Sequence, residues 1–457
     1  MASKPTILVI GTLDTKQSEI AYLRSAILSI GSCQTQMLDV GRLGQAADQK
    51  DIPQEEILSP LTEIAASLAN APRGEYVDKA IEHCTPVVEE LVKSGKVQGV
   101  VSAGGSTGSS LATALMRHAC PIGFPKVMVS TMASGDIKPY IEETDITMMY
   151  SVVDIAGVNS MLKQILSNAA GAIAGMTSAN VAWKKETSTA VGKRIAITMF
   201  GVTTPCVDQI RKILTTTPHD VSEYEIYVFH ATGAGGRAME RLIEEGQIDA
   251  VVDLTTTEVA DELFGGVLTA GPDRLEVAAK KGIPMIVSVG ACDMVNFGPK
   301  DSVPEKYKDR NLFVHNPTVT LMRTTKEENQ QIGNFIVKKL STHSTDHSKI
   351  RVLLPKGGVS MIDKPEQPFH DAEADEELFK TIGDGLKPTK IEVFQYPENI
   401  NDEVFAIQVC EHLLEVMGID PRKYRLANAR RRRWSFDHGR TIAAVRRASL
   451  VEVPDAN

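Results

Sequence analysis

The sequence lacks closely spaced cysteines, long apolar runs and an excess of basic charge. Its six cysteines lie far apart, none in a Cys-x-x-Cys pair, and no histidine cluster completes the spacing of a zinc site. We interpret them as reduced thiols that fill small core spaces in a cytoplasmic protein. No apolar run approaches the roughly 20 residues that span a bilayer. Because the first predicted strand, residues 7–10, comes so early, we expect neither a signal peptide nor membrane binding.

The composition indicates a folded protein with more than one core. A chain of 457 residues exceeds what one hydrophobic core accommodates, so we expect two domains. Apolar residues make up 42% of the chain, which argues against disorder. The formal net charge of −9 gives no support for nucleic-acid binding, so small ligands or proteins are the expected partners.

Short β-branched runs alternate with stretches of helical periodicity, a pattern typical of a parallel sheet covered by helices. It predicts an α/β fold of two Rossmann-like subdomains with parallel sheets and a ligand cleft between them, at residues 1–185 and 186–421. Strands and polar loops follow the same order in both halves, which favours an internal duplication over a chance likeness of two α/β domains. Residues 422–457 form an Arg-rich tail that we expect to be poorly ordered; a basic targeting or nucleic-acid patch is the alternative.

Five loops rich in glycine, serine and threonine follow predicted strands. Ligands of parallel sheets bind where the strands end, at the carboxyl edge. Glycine lets main-chain N–H groups approach an anion, and the following helix adds its positive end. Hydroxyl groups donate to phosphate oxygens, and hydroxyl or carboxylate oxygens ligate Mg²⁺. The five loops therefore predict a phosphorylated ligand. The candidate binding residues are Gly11, Thr12, Asp14, Thr15, Lys16, Gly104, Gly105, Ser106, Thr107, Gly108, Ser134, Gly233, Gly235, Gly236, Arg237, Thr255, Thr256 and Thr257.

Helix capping alone explains part of this pattern. The segments 14–17 and 255–258 each resemble a capping box, which accounts for them about as well as a ligand does. Lys16 is harder to explain by capping, because a cation near a helix start opposes the helix dipole unless an anion is bound there. Gly104–Gly108 is the strongest phosphate-binding candidate, since a cap needs one hydroxyl and not three glycines.

Two known motifs are matched in part. The segment 104–108 has the G-x-S-x-G form of the nucleophile elbow of serine hydrolases, with Asp253 and His315 in workable chain order, but no HGGG-type oxyanion segment is present. The segment 233–238, with Asp253, has the form of a dinucleotide fingerprint, although Asp253 itself ends a strand and is equally expected to point into a crevice. No Walker A sequence is present, which excludes P-loop chemistry.

A family resemblance rests on six longer segments: 11–16 (GTLDTK), 230–240 (HATGAGGRAME), 253–262 (DLTTTEVADE), 270–274 (AGPDR), 291–297 (ACDMVNF) and 315–325 (HNPTVTLMRTT). From Thr6 to about Met417 the chain resembles the tobamovirus multiplication inhibitor family. The resemblance implies a two-subdomain α/β module that binds ATP with Mg²⁺ and tends to form homodimers. Plant members restrain tobamovirus replication by binding the helicase region of the viral replication protein, but no motif here marks that surface.

These observations predict a protein that holds Mg-ATP in a cleft lined by the strand-end loops. The alternative is an enzyme of unknown reaction in the same cleft, either phosphoryl transfer or hydrolysis with Ser106 as the nucleophile. We expect a cytoplasmic homodimer that has a protein partner as a further option and binds neither nucleic acid nor membrane. The residues by themselves identify no catalytic group and no metal ligand.

Overall fold

The computed structural model describes residues 4–42, 53–186, 192–215 and 224–420. The chain divides into two compact units, Met1–Ala190 and Val191–Asn457. Each unit contains a six-stranded parallel sheet flanked by helices, which confirms the predicted Rossmann-like α/β fold. The Arg-rich tail predicted for residues 422–457 lies outside the described residues.

The first unit is built around one parallel sheet. Its strands β1 to β6 are Thr6–Gly11, Gln34–Asp39, Ile57–Leu58, Gly99–Gly104, Lys126–Ser130 and Thr147–Tyr150. Its helices α1 to α6 are Leu13–Ile30, Ala65–Leu68, Arg73–Lys93, Ser106–Ala119, Lys138–Ile141 and Ser160–Glu186. The strand order is β3-β2-β1-β4-β5-β6, so the chain reverses its direction across the sheet between β1 and β4. Such a topological switch point is where open α/β sheets bind their ligands.

The strands of the first unit are buried apolar runs because helices cover both faces of the sheet. Side chains along each strand alternate between the two faces. Val9 and Val101 belong to the core formed with α1 and α6. Leu8 and Val100 belong to the core formed with α3 and α4. The carboxyl edge of the sheet, where these apolar runs end, carries the candidate loops.

The second unit has a parallel sheet and a small antiparallel one. Its strands β7 to β15 are Lys193–Met199, Tyr224–His230, Ala250–Thr255, Met285–Gly290, Met294–Phe297, Leu312–Asn316, Val319–Arg323, Ile350–Pro355 and Glu392–Tyr396. Its helices α7 to α13 are Thr204–Thr215, Ala234–Glu244, Thr257–Phe264, Val277–Lys281, Lys326–His343, Ala372–Leu386 and Glu403–Val416. The parallel sheet has the order β15-β14-β10-β9-β7-β8, and the sequence did not predict the antiparallel sheet β11-β13-β12.

Both parallel sheets contain the same core order. Without the two-residue β3, the first sheet runs β2-β1-β4-β5-β6, and without β15 the second runs β8-β7-β9-β10-β14. In each unit the first strand therefore lies between the second and the third strand of this core. None of the helices in the described ranges combines the length and the apolar character that a membrane span requires.

Candidate functional site

The turn between β4 and α4 lies at the switch point of the first unit. Strand β4 ends at Gly104, Gly105 is the N-cap of α4, and the helix begins at Ser106. A Cβ added at Gly105 would lie 3.9 Å from Thr131 Oγ1, and one added at Gly108 would meet no described atom within 4 Å. Packing within the described residues therefore does not require glycine at either position. The space that the missing side chains leave is available to a ligand.

Two buried serines fix this turn against the neighbouring strand. Ser109 Oγ and Ser130 Oγ share a hydrogen bond of 2.6 Å, and both side chains are fully buried. Ser130 Oγ also accepts a hydrogen bond from the Met132 amide at 2.9 Å. The first turn of α4 is thereby held against the end of β5. Ser106, in contrast, is exposed, and Thr107 is half-buried.

At the loop after β1, a carboxylate of the protein already accepts hydrogen bonds from main-chain amides. Asp39 Oδ1 accepts hydrogen bonds from the amides of Leu13, at 3.1 Å, and Gly41, at 2.9 Å. Burial raises the pKa of Asp39, and these two hydrogen bonds lower it in part. Asp14 Oδ2 accepts from the Arg42 amide at 2.9 Å, whereas Asp14 Oδ1 is buried without a hydrogen-bond partner among the described residues.

The other candidates of the first unit lie at the same carboxyl edge. Gly11 packs on Ile20, whose Cγ1 would be 2.6 Å from an added Cβ, so this glycine has a packing role. At the start of α1, Thr15 Oγ1 donates a hydrogen bond of 3.0 Å to Thr12 Oγ1. Lys16 is half-buried in that first turn and has non-helical dihedrals, with φ −129° and ψ 26°.

Ser134 follows β5 in a short 3₁₀ segment, Thr131–Ser134, and its Oγ donates to the Thr131 carbonyl at 3.2 Å. It is exposed. Because β1, β4 and β5 are neighbouring parallel strands, the loops that follow them lie side by side. The structure thus brings together the eleven candidates of the first unit, at positions 11, 12, 14–16, 104–108 and 134.

In the glycine-rich loop before α8, main-chain amides bind a carboxylate of the protein itself. Glu258 is fully buried, and its Oε1 accepts hydrogen bonds from the amides of Gly233, at 2.7 Å, and Gly236, at 3.1 Å. Gly235 has a packing role, because an added Cβ would collide with the His230 carbonyl oxygen. Arg237 donates to the Thr269 carbonyl at 3.4 Å. The main-chain donors expected to hold phosphate thus hold a carboxylate of the protein.

The three threonines at the end of β9 and directly after it are fully buried. Thr255 Oγ1 pairs with Thr203 Oγ1 at 2.8 Å, and Thr256 Oγ1 donates to the Ser288 carbonyl at 3.0 Å. Thr257 Oγ1 accepts from Asn296 Nδ2 at 3.4 Å. The expectation that these hydroxyls face a ligand does not fit their burial. They join the end of β9 to the turn after β7, to β10 and to β11.

Sequence reasoning missed a buried charge cluster around Arg274. This side chain is 1% exposed and binds Asp253 through two nitrogens, at 2.5 and 2.7 Å. Its Nε donates to Glu258 at 2.8 Å, and its Nη1 lies 3.4 Å from Glu240. Burial raises the pKa of Glu240 to about 7. Asp253 is therefore engaged in an ion pair, which differs from its expected roles as ribose-binding or triad acid.

A second buried cluster surrounds Arg323. Its Nη2 lies 2.6 Å from Asp375 and 3.6 Å from Asp363. Asp293 accepts from Ser360 Oγ at 2.8 Å, and burial together with the charge of Asp363 raises its pKa to about 7. Burial raises the pKa of Asp375 to about 9. Sequence periodicity does not predict such clusters, because their members lie up to 82 positions apart in the chain, from Asp293 to Asp375.

The chain matches two family descriptions. "Uncharacterised protein family (UPF0261) N-terminal domain" matches residues 5–182, and the corresponding C-terminal domain matches residues 192–417. A UPF0261 protein of Clostridium tetani is 44% identical over 412 residues, which make up 90% of this chain and 98% of that protein. The tomato (Solanum lycopersicum) ToMV susceptible protein tm-1(GCR26) is 38% identical over 435 residues, 91% of this chain but 56% of that protein. The chain thus spans little more than half of the tomato protein.

A solved structure of UDP-N-acetylglucosamine 2-epimerase is similar at 12% identity and a TM-score of 0.21, covering 91% of this chain and 97% of that one. A TM-score this low supports no functional comparison. The tomato ToMV resistance protein Tm-1(GCR237) is 38% identical over 440 residues. The tomato relatives confirm the resemblance drawn from the six segments, and the two family matches together show that the chain belongs to the UPF0261 family.

Proposed function

We propose that the first unit binds a nucleotide, ATP with Mg²⁺, with the phosphates at the amino-terminal turn of α4. The observation that carries this proposal is the turn Gly104–Gly108, in which Gly105 and Gly108 leave space that packing does not use. The turn lies beside the switch point between β1 and β4, the usual ligand position of such sheets.

The amino-terminal turn of α4 favours an anion. Helix α4 has 14 residues, and its first turn presents main-chain N–H groups together with the positive end of the helix dipole. Gly105, as the N-cap, has no side chain that competes for those donors. Lys16 adds a cation to the neighbouring loop, and the ion pairs between described residues do not include it. A bound phosphate would offset the unfavourable position of this cation in the first turn of α1.

The residues at this edge also fit Mg²⁺ that arrives with the nucleotide. Mg²⁺ is commonly held by one or two carboxylates together with the phosphates of its substrate. Within the described ranges, no group of three or more His, Cys, Asp or Glu side chains is arranged to hold a metal ion by itself. Asp14 Oδ1 is a buried oxygen without a hydrogen-bond partner in the same ranges. Asp14 would therefore serve as the carboxylate ligand, and the phosphates would supply the others.

The seven candidates of the second unit are left out of this proposal. The hydroxyls of Thr255, Thr256 and Thr257 are buried, and the amides of Gly233 and Gly236 are bonded to Glu258. The hydrolase alternative loses support for a related reason. A triad needs an acid that orients a histidine, whereas Asp253 pairs with Arg274. Phosphoryl transfer remains compatible with a nucleotide at this edge.

Binding is tested by thermal unfolding of the full chain with and without Mg-ATP. A ligand that binds only the folded state at about 100 times its Kd stabilises it by about 2.7 kcal/mol. We expect the transition of the first unit to rise by several degrees with Mg-ATP and by less with ATP and a chelator. An unchanged transition at millimolar Mg-ATP overturns the proposal.

A further inference from the structure

An exposed apolar cluster lies beside the proposed phosphate site. Tyr150 at the end of β6 is 44% exposed, Val152 after it is 57% exposed, and Met132 after β5 is 38% exposed. Exposed apolar patches, unlike single scattered side chains, commonly mark binding sites. Tyr150 and Val152 at the end of β6 and Met132 after the neighbouring β5 all lie at the carboxyl edge, the edge at which α4 begins.

The strand register gives the distance between this cluster and the turn of α4. Gly104 of β4 is level with Ser130 of β5, and Ser130 is level with Tyr150 of β6. Neighbouring strands are about 4.8 Å apart, so the main chains of Gly104 and Tyr150 are separated by about 10 Å. A nucleotide bridges such a gap, because its sugar separates the base from the phosphates.

Tyr150 also emerges on the correct face of the sheet. Met128 and Met148 pack in the core shared with α4, and alternation puts Ser130 and Tyr150, two residues later in each strand, on that same side. The hydrogen bond between Ser130 Oγ and Ser109 of α4 is consistent with this assignment. The ring of Tyr150 and the first turn of α4 therefore share one face and one edge of the sheet.

The exposure of Val152 is fixed by the surrounding main chain. Its φ is +62°, a conformation that β-branched residues rarely adopt. The turn is held at one side by the Ser151 amide, which donates to the Ser130 carbonyl at 3.1 Å, and by Ser151 Oγ, which donates to the Val153 carbonyl at 2.7 Å. This apolar side chain is thus displayed to solvent by a well-bonded turn.

We propose that Tyr150, with Met132 and Val152, binds the flat aromatic base of the nucleotide whose phosphates lie at α4. This inference rests on the proposed function and identifies the second half of the same site. Aromatic rings stack on bases, and thioethers make favourable contacts with ring edges. Thr131 and Ser134 lie in the same 3₁₀ segment as Met132, after the strand between β4 and β6, and their hydroxyls would face the sugar. Because the base subsite consists of apolar groups, we expect it to accept adenine and guanine with similar affinity.

The test is calorimetric titration of the full chain with Mg-ATP, Mg-GTP and inorganic triphosphate. Loss of one stacked ring typically weakens binding about tenfold or more. We expect Tyr150→Ala to weaken both nucleotides by that factor, to leave triphosphate binding unchanged, and to be rescued by Tyr150→Phe. Trp183→Ala is the matched control, because Trp183 is an exposed aromatic residue (61%) near the carboxyl end of α6.

Each other outcome counts against one specific claim. If the wild type binds neither nucleotide nor triphosphate, the proposed function fails. If the wild type binds Mg-ATP but Tyr150→Ala binds it equally well, the base subsite is wrong and the phosphate site stands. A parallel loss of nucleotide and triphosphate binding in Tyr150→Ala shows that Tyr150 supports the fold of the edge, which also overturns the base subsite.

Discussion

The Glu258 carboxylate accepts a hydrogen bond of 2.7 Å from the main-chain amide of Gly233. In the second unit a glycine-rich turn before a helix thus surrounds an anion that belongs to the protein. In the first unit the hydrogen bonds between described residues include no carboxylate that accepts from the amides of the comparable turn, Gly105–Gly108. This difference between two similar glycine turns underlies our assignment of the nucleotide to the first unit, and it leads to the first expectation below.

Removing the carboxylate of Glu258 should destabilise the second unit. Glu258→Ala leaves the Arg274 Nε and the amides of Gly233 and Gly236 without their acceptor in the interior, and breaking a buried ion pair costs about 3–5 kcal/mol. Denaturant unfolding measures the loss in the free energy of unfolding. The control is Glu305→Ala, an exposed position at which the change should stay within about 0.5 kcal/mol. Equal effects of the two substitutions would show that the Glu258 pairing is unimportant.

Gly108→Ala should separate a ligand role from a structural one. An added Cβ meets no described atom within 4 Å, and alanine raises helix stability by up to about 1 kcal/mol over glycine. We therefore expect unchanged or higher thermal stability together with Mg-ATP binding weakened by about tenfold, or about 1.4 kcal/mol. Gly171→Ala in α6 has the same open surroundings and should leave binding unchanged. Wild-type affinity in Gly108→Ala would place the phosphates elsewhere.

Lys16→Ala should weaken Mg-ATP binding and make it less sensitive to salt, since one cation fewer faces the phosphates. The free protein should become slightly more stable, by about 0.3–1 kcal/mol, because the cation opposes the dipole of α1. Titrations at low and high ionic strength measure the first effect. Lys96→Ala, an exposed lysine that precedes β4 at the opposite edge, provides the comparison. If both variants behave alike, Lys16 does not contact the ligand.

The second unit should lose stability as the pH rises. The pKa of Asp375 is raised from 3.8 to about 9, and that of Asp293 from 3.8 to about 7. The folded protein thus retains protons that the unfolded chain releases above about pH 4. The stability that these retained protons contribute is therefore complete below pH 3.8 and is lost as the pH rises towards 9. Between the unfolded and the folded pKa, each retained proton lowers the free energy of unfolding by about 1.4 kcal/mol per pH unit.

Asp375→Asn should reduce the dependence of the free energy of unfolding on pH, because the amide does not titrate. Urea unfolding at a series of pH values from 5 to 9 measures it, and Asp301→Asn at an exposed position serves as the control. A pH dependence identical in the wild type and Asp375→Asn would mean that Asp375 is ionised throughout.

Ser106 should not react with a fluorophosphonate probe. Such a probe labels serines that an adjacent histidine activates, and the acid considered for that triad, Asp253, is paired with Arg274 at 2.5 and 2.7 Å. Gel fluorescence after incubation of the full chain measures labelling, with a known serine hydrolase as the positive control. Labelling that disappears in Ser106→Ala would revive the hydrolase alternative.

The sequence predicted the repeating part of the fold well. The predicted strand at residues 7–10 lies within β1, and the predicted alternation of short apolar strands and helices recurs in both parallel sheets. These elements were recognisable because burial on both faces of a parallel sheet demands short continuous apolar runs between amphipathic helices. The small antiparallel sheet, β11-β13-β12, was missed because its strands are short and overlap segments 291–297 and 315–325, which were interpreted only as family motifs.

The sequence by itself determined that glycine and hydroxyl residues would follow the strands at the carboxyl edges of two parallel sheets. Only the tertiary structure decided what those groups face. The amides of Gly233 and Gly236 meet Glu258, more than 20 positions along the chain, and Arg274 then pairs with that same carboxylate. Local spacing cannot reveal such partners, because they are brought together by the packing of distant segments. At Gly105 and Gly108 the same packing leaves space within the described residues, and that space is what a ligand can use.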